Sequence, residues 1–426
     1  MSRYCYPLGL ALLLAGPIYL PAHAQLLSGE HADYASRQQE AAAPLTLANA
    51  IALALAHNPE LSAARRELEA VDATIVQAGA RPNPELSALM EDTRKSTRTT
   101  TFQLNQAIEL GGKRGARIDA AERARDAAHV ELQAKRDDIR ITATSAFFSV
   151  LTAQERKRLA QESADLASNA SDATARRVSA GKVSPVKASK AGVASAGARL
   201  ELMQADSELD LARRRLAGLW GNHTPRYTLA EGSAEQLPPL PDITDIAGRS
   251  ANAPQLRLAK IEVERRLALT KVESSKRIPD ATLSLGTKRD EEARRNMWVV
   301  GVSMPLPFFD SNRGNLDEAL RRTDKARDEL AATETRVQNE LAQTYAKLRN
   351  AHAEVAALRG DILPGAQSAY LAAGKGFELG KFSFLEVLDA QRTLFQARSQ
   401  YLRALSDAHL AAAELERLLG SADINP

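Results

Sequence analysis

The stretch Ala116–Ala180, ARIDAAERARDAAHVELQAKRDDIRITATSAFFSVLTAQERKRLAQESADLASNASDATARRVSA, contains neither Gly nor Pro, the two residues that most penalise a helix interior. A continuous helix over it is roughly 100 Å long at about 1.5 Å per residue. Leu132, Ile139, Ala146, Ala153, Ala160 and Ala167 recur every seventh position, and Ala143, Val150 and Ala164 stand four residues after three of them. That is a heptad seam whose knobs are mostly alanine, so partner helices can approach closely. A stripe this long cannot be covered by its own chain segment, and the rest of the sequence must supply partners of similar length.

Working outward, the chain runs through one unit twice. Asn58-Pro59-Glu60-Leu61 is echoed by Ala253-Pro254-Gln255-Leu256 and Pro84 by Pro279, both at a spacing of 195. Arg114-Gly115 returns as Arg313-Gly314, Gly181-Lys182-Val183-Ser184 as Gly380-Lys381-Phe382-Ser383, and Leu219-Trp220-Gly221 as Leu418-Leu419-Gly420, all at 199. A near-constant offset over the whole length marks a duplication. The expected organisation is a first repeat at 45–221 and a second at 243–420, joined by the Pro-containing connector 222–242 and followed by a short tail, 421–426. Each repeat reads as a helix (Leu47 to Ala78; Ile243 to Lys276), a pair of strands, a long helix, a Gly-marked turn and a return helix. Gly360 and Pro364 predict a kink in the long helix of the second repeat.

The strand pairs lie at about 84–108 and 279–306. Phe102, Leu104 and Ile108 alternate with polar neighbours, as do Leu283 and Leu285, while Trp298, Val300 and Val302 alternate with Val299, Gly301 and Ser303. The first strand, around Leu86 to Met90, alternates poorly. Period two over about ten residues with one apolar face is the length and pattern of a tilted membrane strand. Four strands cannot close a barrel, and an open edge cannot face lipid because its amides would lack partners. Either the sheet is soluble, or several copies of the chain build one barrel.

At the N-terminus Arg3, the apolar run Leu8–Leu20 and Ala22-His23-Ala24 predict a secretory signal peptide over residues 1–24. Residues 25–44 are polar and Ala-rich, a flexible leader. The one cysteine, Cys5, precedes the apolar run, so it is not placed as a lipoprotein acceptor and the mature chain relies on no disulfide or thiolate. Aromatics are 4% of the chain, and 56 basic residues stand against 53 acidic ones, well mixed along the helices. Those charges are solvated helix faces and make no case for nucleic acid. His31, His57, His129, His223, His352 and His409 are scattered without a carboxylate at ligand spacing, so no metal site and no cofactor is expected. Gly111-Gly112-Lys113-Arg114 is a strand-to-helix turn, too short for a phosphate loop. No nucleophile, base and orienting group form a set, and the chain reads as a non-enzyme.

The duplicated layout and the turn Phe377-Glu378-Leu379-Gly380-Lys381-Phe382-Ser383-Phe384-Leu385-Glu386-Val387-Leu388-Asp389-Ala390 resemble the TolC family of outer-membrane efflux channels. Ile108-Glu109-Leu110-Gly111-Gly112-Lys113-Arg114, Ala180-Gly181-Lys182-Val183-Ser184-Pro185-Val186 and Leu219-Trp220-Gly221-Asn222 resemble its CzcC-like subgroup, the outer-membrane components of heavy-metal efflux pumps. The resemblance implies a mainly α fold with a membrane β-barrel: a homotrimer with a 12-stranded barrel in outer-membrane lipid, continuous with an α-helical tunnel in the periplasm. It further implies a periplasmic adaptor, an inner-membrane pump of the resistance-nodulation-division type, and export of divalent heavy-metal cations. Drugs or a type I secreted protein are alternative cargoes. A soluble periplasmic coiled-coil adaptor is an alternative of another class.

Glu386 and Asp389 share a helix face near the second turn, and Lys187 and Lys190 are their counterparts in the first repeat. The family places acidic positions here at the periplasmic gate, where a threefold axis makes each a ring that concentrates cations. Pairing of these acids with Lys187 and Lys190, or plain solvation in water, is the alternative, and the lysines depart from an all-acid entrance. Gly181, Ser184, Gly380 and Ser383 would sit at the tips that meet the adaptor. The plainer reading is a helix-ending glycine followed by a serine cap.

Overall fold

The computed structural model describes residues 42–232, 237–379, 381–382 and 384–420. The signal peptide, the leader up to residue 41, the tail 421–426, Gly380 and Ser383 lie outside the described residues. In chain order the elements are β1 (Leu45–Thr46), α1 (Leu47–His57), α2 (Pro59–Gly79), β2 (Glu85–Glu91), β3 (Thr99–Ile108), α3 (Lys113–Ser179) and α4 (Pro185–Gly218). There follow β4 (Ala230–Glu231), α5 (Ile243–Ser250), α6 (Pro254–Ser275), β5 (Ala281–Asp290), β6 (Arg295–Ser303) and α7 (Arg313–Ala357). A π-helical turn (Leu358–Ile362), α8 (Leu363–Glu378) and α9 (Phe384–Leu419) complete the chain.

The long helix α3 is continuous over 67 residues. It starts where Gly111 (φ 71°) and Gly112 (φ 75°) turn the chain out of β3. A Cβ on Gly111 would stand 2.9 Å from Ile278 Cβ and from the Ser275 carbonyl, so only glycine fits. Ile139, Ala143, Val150, Ala153, Ala164 and Ala167 of the heptad seam are buried, whereas Leu132, Ala146 and Ala160 are half-buried. α3 packs against α2 and α6 in its first half and against α4 and α9 in its second, and α7 extends the layer beyond α6 and α9.

The two opening helices depart from expectation. Leu47 to Ala78 was expected as one helix, but the chain breaks at Asn58: its Oδ1 accepts from the Glu60 and Leu61 amides (2.9 and 3.1 Å), and its Nδ2 donates to the Leu219 carbonyl (2.8 Å). Pro59, which has no N–H, opens α2. Ile243 to Lys276 splits likewise, with Pro254 opening α6. At Pro364 the expected kink takes the form of the π turn just before it. The wider turn accommodates the ring against the Gly360 carbonyl and the missing donor.

The connector lies on α3. Trp220 and Tyr227, fully buried, join Phe147, Val150 and Leu151 in one core with Leu45 and Ala230. β1 pairs parallel with β4, Leu45 against Ala230. The Gln154 amide both accepts from the Ala230 N–H (2.8 Å) and donates to its carbonyl (3.0 Å), standing in for a missing strand. A second core joins Val337, Leu341 and Leu348 of α7 to Leu415, Leu418 and Leu419 of α9.

The four-stranded sheet runs β2-β3-β5-β6, antiparallel throughout, so β3 and β5 join the two repeats. Where strands become helices, ion pairs fix the junction, one between the repeats (Lys113 with Asp280) and one within the first. Asp280 Oδ1 accepts from Lys113 Nζ (2.7 Å) and from the Leu110 amide (3.0 Å), and Arg117 pairs with Glu109. Burial resists the charge on Asp280, yet the Lys113 ammonium and the Leu110 amide hold its carboxyl below the usual range. The hydrogen bond from Arg117 does the same for Glu109. A carboxylate whose folded pKa is depressed stabilises above its unfolded value of about 4, and that stabilisation fades as pH falls through the lower folded value. Asp280→Asn is therefore expected to melt below the wild type at pH 7, with the gap narrowing toward pH 3, as thermal denaturation in detergent would measure.

Candidate functional site

Two regions carry features that packing within one chain does not explain: the sheet, and the helix ends at 177–190 and 375–390.

Register puts Leu86, Leu104, Leu285 and Val300 side by side in one row and Ala88, Phe102, Thr287 and Trp298 in the next. This apolar face is uncovered, with Trp298 78% and Val302 73% exposed. The opposite face is polar and internally bonded. Asn105 Nδ2 donates to Ser87 Oγ (3.2 Å), while Gln103 Nε2 and Ser284 Oγ both donate to Asn105 Oδ1 (2.7 Å each). Leu89 lies on this polar face, across from Thr101, which is why the first strand alternates poorly. β2 and β6 each leave one edge unpaired in the sheet.

At the first helix turn the Lys182 amide donates to the Arg177 carbonyl and the Gly181 amide to that of Val178, both at 2.9 Å, with Gly181 at φ 70°. This is a Schellman ending, which needs the left-handed glycine. Ser184 occupies the N-cap of α4, but its hydroxyl caps nothing, contrary to the serine-cap reading. In the second turn the Lys381 amide donates to the Gly376 carbonyl (2.8 Å), the same six-to-one bond 199 residues on. Phe382 folds its ring onto Gly376, where a Cβ would stand 2.1 Å from Cδ2. The Arg177 guanidinium sits 4.9 Å above the Phe377 ring, joining the two ends by a cation–π contact. The offset motifs did not reveal these two aromatic contacts, because Val178 and Val183 stand where Phe377 and Phe382 do in the other copy.

Lys187, Lys190, Glu386 and Asp389 are all exposed. Among the described residues neither lysine enters an ion pair, and α3 lies between α4, which carries the lysines, and α9, which carries the acids. Within one chain the alternative pairing is not formed. Among the described residues no three His, Cys, Asp or Glu side chains gather as a metal-binding group, and no helix is long and apolar enough to cross a membrane.

A long-helix wall, a sheet with one apolar face and a duplicated layout place the chain among membrane channels, and the family model for outer membrane efflux proteins matches it twice, over residues 50–222 and 249–421. The chain belongs to the outer membrane efflux protein family, a family of transport proteins, and is an outer-membrane protein. It is 47% identical over 420 residues to the cobalt-zinc-cadmium resistance protein CzcC of Cupriavidus metallidurans, covering 99% of this chain and 100% of that one. The nickel-cobalt-cadmium resistance protein NccC of Alcaligenes xylosoxydans xylosoxydans is 28% identical over 309 residues, 71% of this chain and 68% of the other. Among solved structures, CusC superposes with a TM-score of 0.76 at 19% identity over 88% of this chain and 92% of that one. The open state of the MtrE outer membrane channel of Neisseria gonorrhoeae gives 0.74 at 20% over 88% of each. Membership of this family removes the soluble adaptor from consideration.

Proposed function

We propose that the protein is the outer-membrane conduit of a tripartite efflux system for divalent heavy-metal cations. Three chains of four strands each close a 12-stranded barrel, and their long helices form the periplasmic tunnel. The open four-stranded sheet with an uncovered apolar face carries the reading, because that face suits lipid while the unpaired edge amides cannot stand there until further copies close them. α4 supports it. Ala191, Ala198 and Ala205 pack on α3, while Val186, Val193 and Leu200, seven residues apart on the opposite side, stay exposed at 61%, 74% and 55%. A second heptad stripe of this kind fits the wall of a neighbouring copy.

The cargo rests on the likeness to CzcC, with NccC in support. A periplasmic adaptor would dock at the tips around Gly181, Ser184, Gly380 and Ser383, and an inner-membrane pump of the resistance-nodulation-division type would supply the energy. Glu386 and Asp389, with Lys187 and Lys190, form the gate, each becoming a ring of three about the trimer axis. The Arg177 to Phe377 contact holds the two tips of one chain together there.

The test is deletion of the gene with complementation. The deletion strain is expected to lose growth on zinc, cadmium and cobalt while its tolerance of hydrophobic drugs and bile salts is unchanged. The wild-type gene restores growth, and Asp389→Lys, produced at equal level, restores it only in part. Drug sensitivity with unchanged metal tolerance would keep the conduit and refute the metal cargo.

A further inference from the structure

A cavity of about 860 Å³ lies between the middle of α3, the π turn with the start of α8, and α9, and Gly232 of the connector borders it. Its two walls differ in charge. On α3, Arg158 is held by Glu155 (2.9 Å) and Glu162 (2.5 Å), so its charge is answered locally. Across the cavity, Arg359 of the π turn enters no ion pair among the described residues. Arg398 of α9 donates to the neutral amide oxygen of Gln367 (3.2 Å). Glu155 and Glu162 line the cavity too, so three arginines stand against two glutamates, and Arg359 and Arg398 are the guanidinium groups without a carboxylate of their own. The rest of the lining includes Leu151, Leu363 and Leu394.

We propose that this cavity binds an acidic peptide segment, with apolar residues interleaved among its carboxylates, presented by a periplasmic partner. Guanidinium forks recognise carboxylates through paired N–H···O bonds. A leucine-bearing wall beside them suits alternate side chains of an extended peptide, whereas a phosphate would leave that wall unused. The π turn contributes by widening the helix where Arg359 leaves it, and such turns interrupt helices at functional positions. Access follows from the connector. Gln154 clamps Ala230 onto α3 two residues before Gly232, so the cavity borders the connector face of the helical wall. This placement rests on the conduit reading, in which that face looks outward to the periplasm.

The probe is a fluorescein-labelled peptide of alternating Glu and Leu, titrated by anisotropy against the full-length protein in detergent, beside its Gln and Leu counterpart. The Glu peptide is expected to bind, to weaken as salt rises, and to weaken by about tenfold in Arg359→Gln/Arg398→Gln. Arg158→Gln leaves Glu155 and Glu162 of the same lining unanswered, so it is expected to weaken the Glu peptide as well while leaving its Gln counterpart unchanged. Arg359→Gln alone, at an exposed position, keeps the test available should the double variant not fold. Equal binding of the Gln peptide, or undiminished binding to the arginine variants, overturns the inference. So does arginine-dependent binding of a soluble muropeptide with none of the Glu peptide, which would assign the cavity to a cell-wall glycan. Metal tolerance of the deletion strain tests the conduit separately, so a peptide that fails to bind leaves that reading standing.

Discussion

Gly286→Val is expected to abolish the heat-resistant oligomer in the outer-membrane fraction. Gly286 sits in β5 opposite Gln103 of β3 and Val299 of β6, within the ladder that joins the two repeats. A Cβ there would lie 2.3 Å from the Phe102 carbonyl oxygen and 2.9 Å from Gln103 Cα. Both are backbone atoms of the paired strand, and no rotamer change relieves the clash, so β3 and β5 must separate. In water the freed amides would find solvent; in hydrocarbon each unpaired group costs several kcal/mol. The measurement is the fraction of protein migrating as an oligomer before and after boiling. Gly301→Ala serves as the contrast, since its Cβ would meet only Ser284 Cβ at an ordinary 3.7 Å. It should assemble as the wild type does. Normal assembly of Gly286→Val would mean that β3 and β5 are not paired in the membrane.

The double change Val193→Glu/Leu200→Glu is expected to leave a helical monomer. Both side chains are more than half exposed in the single chain and face away from α3, so the chain's own packing loses little. Covered by a neighbour, each would contribute about 1.5–3 kcal/mol of apolar burial per chain. Glutamates there would instead bury unpaired carboxylates at every subunit contact. Size-exclusion chromatography with light scattering, beside circular dichroism, separates loss of assembly from loss of fold. A trimer surviving in the double variant would place the subunit contact on another face of α4.

Local signals in the sequence reached far because much of this fold is periodic. The absence of Gly and Pro from Ala116–Ala180 and its alanine heptads predicted a single helix, and α3 is one. Three of the four strands of the large sheet followed from period two, and Gly181 marked a helix ending that only a left-handed residue completes. These features depend on neighbours within a few positions. Asn58 shows the limit: the apolar period continues past it, but its side chain supplies two caps and reaches the Leu219 carbonyl, so the helix stops there.

By itself, then, the sequence determined the long uninterrupted helix, the turns, the amphipathic strands and the duplication, all written in residue spacing. Only the tertiary structure decided that β3 pairs with β5, that Leu89 turns to the polar face, that Gln154 holds the connector, and that α3 separates Lys187 and Lys190 from Glu386 and Asp389. It alone brought Arg359 and Arg398 to one cavity. The physical reason is common to all of these. Each is a choice of partner across tens to hundreds of residues, made by which faces can be covered and which amides paired at once, and no local period carries that information.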